Sequence, residues 1–296
     1  MVAEPIRIDR MDPLVVERGP TALRIAVGRQ LRKLREQRGI TRDAAGDHIR
    51  GSHAKISRLE LGRTGFKERD IRDLLTLYGI ADDQEREEFL GLVRKANEPG
   101  WWHRYSDLLP QWFETYLGLE YAAKSIRTFE GQLVPGLLQI EEYARAVVSL
   151  GHHHNPEAAR RVELRKRRQE ILDRRGGPTL WAVLDEAVMH RPIGGVDVLR
   201  AQLEHLVEIS ARPNVTIQVL PYAAGGHPAA GSSFTILRFA EPELPDLVYM
   251  EQLTSAAYLD RQDDLDRYRQ VMEQLTVQAE PPERSRKLLQ ERVAAL

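Results

Sequence analysis

The sequence predicts a mainly α N-terminal bundle of five helices, followed by a C-terminal mixed α/β domain of the α+β kind. Three observations carry this reading. Apolar residues between about 21 and 97 recur at helical spacing, punctuated by glycines and N-cap residues. Beyond residue 178, short runs rich in Val, Ile, Leu and aromatics (180–184, 215–220, 233–239 and 247–251) have the length of strands. Helical patterns fill the gaps between those runs, and 296 residues leave room for two cores. The expected organisation is a flexible segment over 1–20, a helical domain over 21–98, a linker with docking aromatics over 99–110 and the mixed domain over 111–296.

The first helix is expected over 21–37. Val27, Leu31 and Leu34 make one apolar stripe, with Arg29, Arg32, Lys33 and Arg35 off it. Gly39 stops this helix, and Thr41 caps a second over 42–49, whose Ala44 and Ala45 permit close packing. Arg50 and Gly51 form a tight turn. Ser52 then caps a third helix over 52–61, which points Ile56 and Leu59 inward and leaves His53, Ala54, Lys55, Ser57 and Arg58 on other faces; Gly62 closes it. A fourth helix over 67–78 buries Ile71, Leu74, Leu75 and Tyr78. A fifth over 82–97 buries Phe89, Leu92 and Val93, and its acidic start at Asp82, Asp83 and Glu85 suits the positive end of a helix.

Charge separates the two halves. Between Arg24 and Asp73 stand 14 Lys and Arg against 7 Asp and Glu, a local balance of +7, so the other residues carry −8 of the chain's net −1. A basic module on an acidic body is the electrostatic footprint of a nucleic-acid reader with a separate sensor or partner domain. The chain has no cysteine, which removes disulfides, thiolate catalysis and thiolate-ligated zinc from consideration. No stretch approaches the roughly 20 apolar residues that cross a bilayer. Residues 1–19 carry Glu4, Asp9, Asp12 and Glu17 and lack the apolar run of a secretory signal. The expected location is the cytoplasm, in association with the nucleoid, with no membrane partner.

Two short helices joined by a tight Gly-containing turn inside a basic bundle make a helix-turn-helix pattern. The strings VGRQLRKLREQRGIT, AAGDHI and SHAKISRLELGR together resemble the XRE family of phage-repressor-like regulators. Ser52, Ile56, Ser57, Glu60 and Gly62 match that family's third-helix pattern in register. The resemblance implies double-stranded DNA as partner, read by the third helix in the major groove, and a homodimer on a pseudo-palindromic site. A recognition helix enters by its N-terminal end, so His53, Ala54 and Lys55 are the nearest base readers, with Ser57 and Arg58 one turn on. Lys55 suits guanine acceptors and Ala54 a thymine methyl. Arg42 and Ser52, at two helix N-termini, are expected to clamp phosphates, with Arg29, Arg32, Lys33 and Arg63 adding charge. Many family members have Gln where Arg42 stands, which favours a purely electrostatic contact there. Glu60 is expected to serve the bundle, since phosphate repels an acid.

The C-terminal body begins after Pro99-Gly100, where Trp101, Trp102 and Tyr105 suggest domain docking rather than a stacking platform for bases. Helices are expected over 111–127, 140–150, 156–173, 196–211, 261–276 and 281–294. The strings YLGLEYAAKSIRTFEGQLVPGLLQIEEYAR and AQLEHLVEISARPNVTIQVLPYAAGGHPA are similar to a C-terminal domain of unknown function found on XRE-type regulators of actinobacteria. That resemblance implies an antitoxin-like regulator with a small protein partner encoded nearby, or one that takes a small ligand.

Catalysis has no visible carrier here. Glu186 and His190 share a helix face at i, i+4, but a second ligand at matching spacing is missing, and a hydrogen bond is the simpler reading. His152, His153 and His154 read as an exposed turn. Ser232 and Ser233 lack a nucleophile elbow, and Gly225-Gly226 reads as a turn rather than a phosphate loop. The expectation is therefore a protein that is no enzyme, with no catalytic residue, metal or cofactor. The loop over 221–231, with Tyr222 and His227, is the candidate mouth of a ligand or partner site, formed together with Pro135, Leu137 and Leu138.

Overall fold

The computed structural model describes residue 8 and residues 19–151, 157–240 and 244–296. The expectations for residues 1–7 and 9–18 and for His152, His153, His154 and Pro156 lie outside the described residues. The chain folds as two compact units, one built on residues up to His103 and the other on Arg104–Phe239 and Pro245–Leu296.

The first unit is helical: α1 Pro20–Gln37, α2 Arg42–His48, α3 His53–Glu60, α4 Glu68–Leu77 and α5 Asp83–Ala96. Local chemistry sets these boundaries. Thr41 Oγ1 accepts the Ala44 N–H at 3.1 Å, Ser52 Oγ accepts that of Lys55 at 3.3 Å, and Asp82 accepts that of Glu85 at 2.9 Å. Leu31, Leu34, Ile56, Leu59, Ile71, Leu74, Tyr78, Phe89 and Val93 meet in one core. One departure from expectation lies on α1. Arg35 is 6% exposed and belongs to the buried face, because it follows Leu31 by four residues, one helical turn.

The second unit holds a six-stranded sheet in the order β3-β2-β1-β4-β5-β6. The strands are β1 Ser125–Glu130, β2 Thr179–Asp185, β3 Val215–Leu220, β4 Phe234–Arg238, β5 Leu247–Glu251 and β6 Ala256–Leu259. β1, β2 and β3 run parallel, with Ile126 opposite Leu180 and Leu180 opposite Val215. β4 is antiparallel to β1, and β5 and β6 continue antiparallel. The helices are α6 Gln111–Ala122, α7 Glu141–Gly151, α8 Ala158–Gln169, α9 Ala187–His190, α10 Val196–Ile209, α11 Gln262–Gln278 and α12 Pro282–Ala294. The α+β class holds.

Two strands were not expected. The helix predicted over 111–127 ends at Ala122, with Ala123 in an extended conformation, and β1 begins at Ser125. Thr128 on that strand is 4% exposed and shares a 3.0 Å hydrogen bond with Thr235 across the sheet, so a polar residue occupies a core position. β6 is an Ala-rich edge strand, half-buried along its whole length, which leaves no alternation to read.

On one side of the sheet Glu120 of α6 is 1% exposed and accepts both Nε (2.5 Å) and Nη2 (2.7 Å) of Arg168 on α8, with Tyr116 donating to the same carboxylate at 2.8 Å. The other side carries the apolar cluster of Phe129, Val183, Phe234 and Val248 under Leu265, Met272 and Leu275 of α11.

Candidate nucleic-acid interface

α2, the turn over 49–52 and α3 form a tight helix-turn-helix. Arg50 takes the left-handed conformation at φ 53°, and the Gly51 N–H closes back on the Gly46 carbonyl at 2.8 Å. Gly46 of α2 lies against the cap of α3: a Cβ there would lie 2.9 Å from the carbonyl carbon of Ser52. At Gly28 of α1 a Cβ would lie 2.8 Å from the Glu60 carbonyl oxygen, so α1 abuts the backbone at the end of α3.

These constraints orient α3. Ile56 and Leu59 are 1% and 2% exposed, while Ser52, His53, Ala54 and Arg58 are exposed and Ser57 is half-buried. His53 with Ser57 and Ala54 with Arg58 are i, i+4 pairs, so the four side chains share one outward face.

Lys55 departs from its expected role. Its ammonium reaches back to Asp70 Oδ2 of α4 at 2.5 Å, and the Asp70 side chain is 1% exposed. A cation that neutralises a buried carboxylate is held by it, because releasing the pair would strand Asp70 in the core. In this structure Lys55 ties α3 to α4 and does not stand free on the outward face.

Glu60 also serves the bundle. It is 3% exposed, accepts Arg35 Nε at 2.5 Å and Nη2 at 3.1 Å, and accepts Arg42 Nε at 2.9 Å. The hydrogen bond that Arg35 donates to Glu60, the largest influence, raises the pKa of the Arg35 guanidinium further. The carboxylate thereby ties the last turns of α1 and α3 to the first residue of α2. Arg42 is half-buried, and the bond to Glu60 uses Nε, so it stands at the α2 N-terminus with its orientation fixed. Arg32 is exposed and pairs with Glu36 at 2.8 Å along α1. Arg29, Lys33 and Arg63 are exposed as well. Sequence reasoning missed Asp70 and Arg35 as anchors, although both follow the apolar stripe of their helices: Asp70 precedes Leu74 and Arg35 follows Leu31 by four residues.

In the second unit the structure does not support a mouth at 135–138. Pro135, Leu137 and Leu138 are buried, and Gln202 donates to the Leu138 carbonyl at 2.8 Å while Gln139 donates to that of Val134 at 2.7 Å. That short segment is locked into the core by glutamines. Tyr222 is 58% exposed, and the His227 side chain is 10% exposed with its ring against Phe129. Glu186 and His190 are joined by a 3.3 Å hydrogen bond. A cleft of about 400 Å³ lies between α7 and α8, where Lys166 and Arg145 both pair with Glu141. Among the described residues no group of three or more His, Cys, Asp or Glu could hold a metal ion, and no helix is long and apolar enough to cross a membrane.

The first unit is thus a helix-turn-helix DNA-binding module, and residues 26–89 match the family described as a helix-turn-helix domain. The chain belongs to the family described as Domain of unknown function (DUF5753), which matches residues 113–291. No curated protein and no solved structure gives a significant match.

Proposed function

We propose that this chain is a sequence-specific transcriptional regulator of the XRE type, acting as a homodimer. The exposed face of α3, with His53, Ala54, Ser57 and Arg58 clear of the core, carries the proposal. Arg58 is its strongest reader, since a guanidinium matches the two acceptors of guanine. Ser52 and Arg42 hold phosphates, and Arg32, Lys33 and Arg63 add charge. Two copies on a pseudo-palindrome would place their α3 helices in successive major grooves, roughly 34 Å apart. The second unit receives the signal, from a small ligand or a small protein, and its work is binding rather than catalysis.

The test is selection of bound duplexes from a randomised pool by the full chain. A defined two-fold symmetric motif is expected; enrichment of no motif would refute the reading.

A further inference from the structure

The sheet of the second unit has two edges, and they are finished differently. At β3 the edge is covered: Ser285 Oγ accepts the Val219 N–H at 2.9 Å, and the Glu280 N–H donates to the Val219 carbonyl at 2.9 Å. Ser285 is fully buried in the first turn of α12, so that cover is part of the fold. At β6 the edge is left open. Alternate residues of an antiparallel strand turn their N–H and C=O away from the paired neighbour, and β6 is paired with β5 alone. Among the described residues no backbone hydrogen bond reaches Ala256–Leu259 from outside that pair.

Exposed edges are ordinarily blunted by lysine, proline, a bulge or a covering segment. The run over 252–259 contains no charged residue and no proline, and β6 pairs with β5 residue for residue, without a bulge. Leu253, in the turn that leads into β6, is fully exposed. Beside the strand, Tyr258 donates to the Trp112 carbonyl, and Trp112 and Phe113 are half-buried aromatics at the start of α6. An open strand edge flanked by aromatics is a surface to which a further strand can add. Its lack of charge selects the partner. In a two-fold pairing each residue faces its own copy or a near neighbour, so a charged edge repels itself and an uncharged one does not.

We propose that β6 is the seam of the homodimer: β6 of one copy pairs antiparallel with β6 of a second copy, and the two six-stranded sheets continue into one. The pairing rests on the homodimer reading above, adds where the two copies meet, and uses no residue of the DNA interface.

The chain has no cysteine, so single cysteines placed at Ser255, Ala256, Ala257 and Leu259 report the seam directly. Opposed Cβ atoms of an antiparallel pair lie about 4.5–5.5 Å apart, close enough for a disulfide to form with a small adjustment. The full chain carrying each substitution is oxidised alone and in equal mixtures, with Val277→Cys, 84% exposed on α11, as the control. A covalent dimer from at least one of the four positions, and none from Val277→Cys, is expected. Light scattering reads Ala257→Asp and Ala257→Lys: each alone should dimerise about tenfold or more weakly than the unsubstituted chain, and an equal mixture should recover the dimer. Recovery on mixing requires folded chains. No covalent dimer from the four positions, as much from Val277→Cys, or an unchanged dimer in both charged variants overturns the proposal. A chain that is dimeric by light scattering yet gives no covalent dimer has its seam elsewhere, and the homodimer reading stands. A chain that stays monomeric, alone and on its selected duplex, as it would if another protein supplied the strand, defeats both.

Discussion

Glu60 holds two guanidiniums, one from α1 and one from α2, and is itself 3% exposed. Removing it would leave the buried Arg35 guanidinium with only the longer, 3.4 Å contact to exposed Glu36 as its counterion. Glu60→Ala should therefore lower stability by about 3–5 kcal/mol, read as the urea midpoint of the helical transition; a loss below about 1 kcal/mol would mean the pair is not buried as described. The opposite sign is expected at Glu130, where burial, the largest cause, pushes the carboxyl up to about 7. Its folded value lies above its ordinary one, so the protonated form is favoured in the fold. The cost of ionising it is absent in acid and grows as pH rises from about 4.5 through about 7. Glu130→Gln should raise the melting temperature at pH 8 relative to the unsubstituted chain and leave it level at pH 4. An equal shift at both pH values would contradict this assignment.

At the scale of elements, two helical glycines make opposite predictions. Gly46→Val drives a side chain into the Ser52 backbone and should cost about 1–3 kcal/mol together with DNA affinity. Gly91 on α5 has nothing nearer than 3.9 Å, so Gly91→Ala should stabilise by up to about 1 kcal/mol, since alanine restricts the unfolded chain. Thermal unfolding of both variants separates the two glycines. The helical unit was legible in the sequence because its signals are local: Thr41, Ser52 and Asp82 cap the helices whose starts they announce. Lys55 was misread for the converse reason. Its partner lies 15 residues away on another helix, and only tertiary packing shows that the ammonium turns inward. β1 was hidden because its helix-like approach, Gln111–Ala122, runs almost directly into it, and β6 because an edge strand of Ala256 and Ala257 carries no alternation. Pro135, Leu137 and Leu138 were expected to line a ligand mouth and instead lie in the core, fixed by Gln139 and Gln202.

The whole molecule divides its charge, +7 on the stretch from Arg24 to Asp73 against −8 elsewhere. Binding that neutralises phosphates releases counterions, so log affinity should fall linearly with log salt by roughly 0.9 per contact. Arg42→Ala should weaken all duplexes alike and reduce that slope by about 1, whereas Arg58→Ala should change which duplex is preferred. In the proposed mode the outward face of α3 reads bases while Lys55 is retained by Asp70. The most direct test of that mode is the selected-duplex profile of the full chain beside those of Arg58→Ala and of the double variant Lys55→Ala with Asp70→Ala, which removes both partners and so strands no buried charge. Arg58→Ala is expected to lose preference at a guanine position in each half-site, while the double variant keeps the original motif. A motif altered by the double variant and untouched by Arg58→Ala would contradict it.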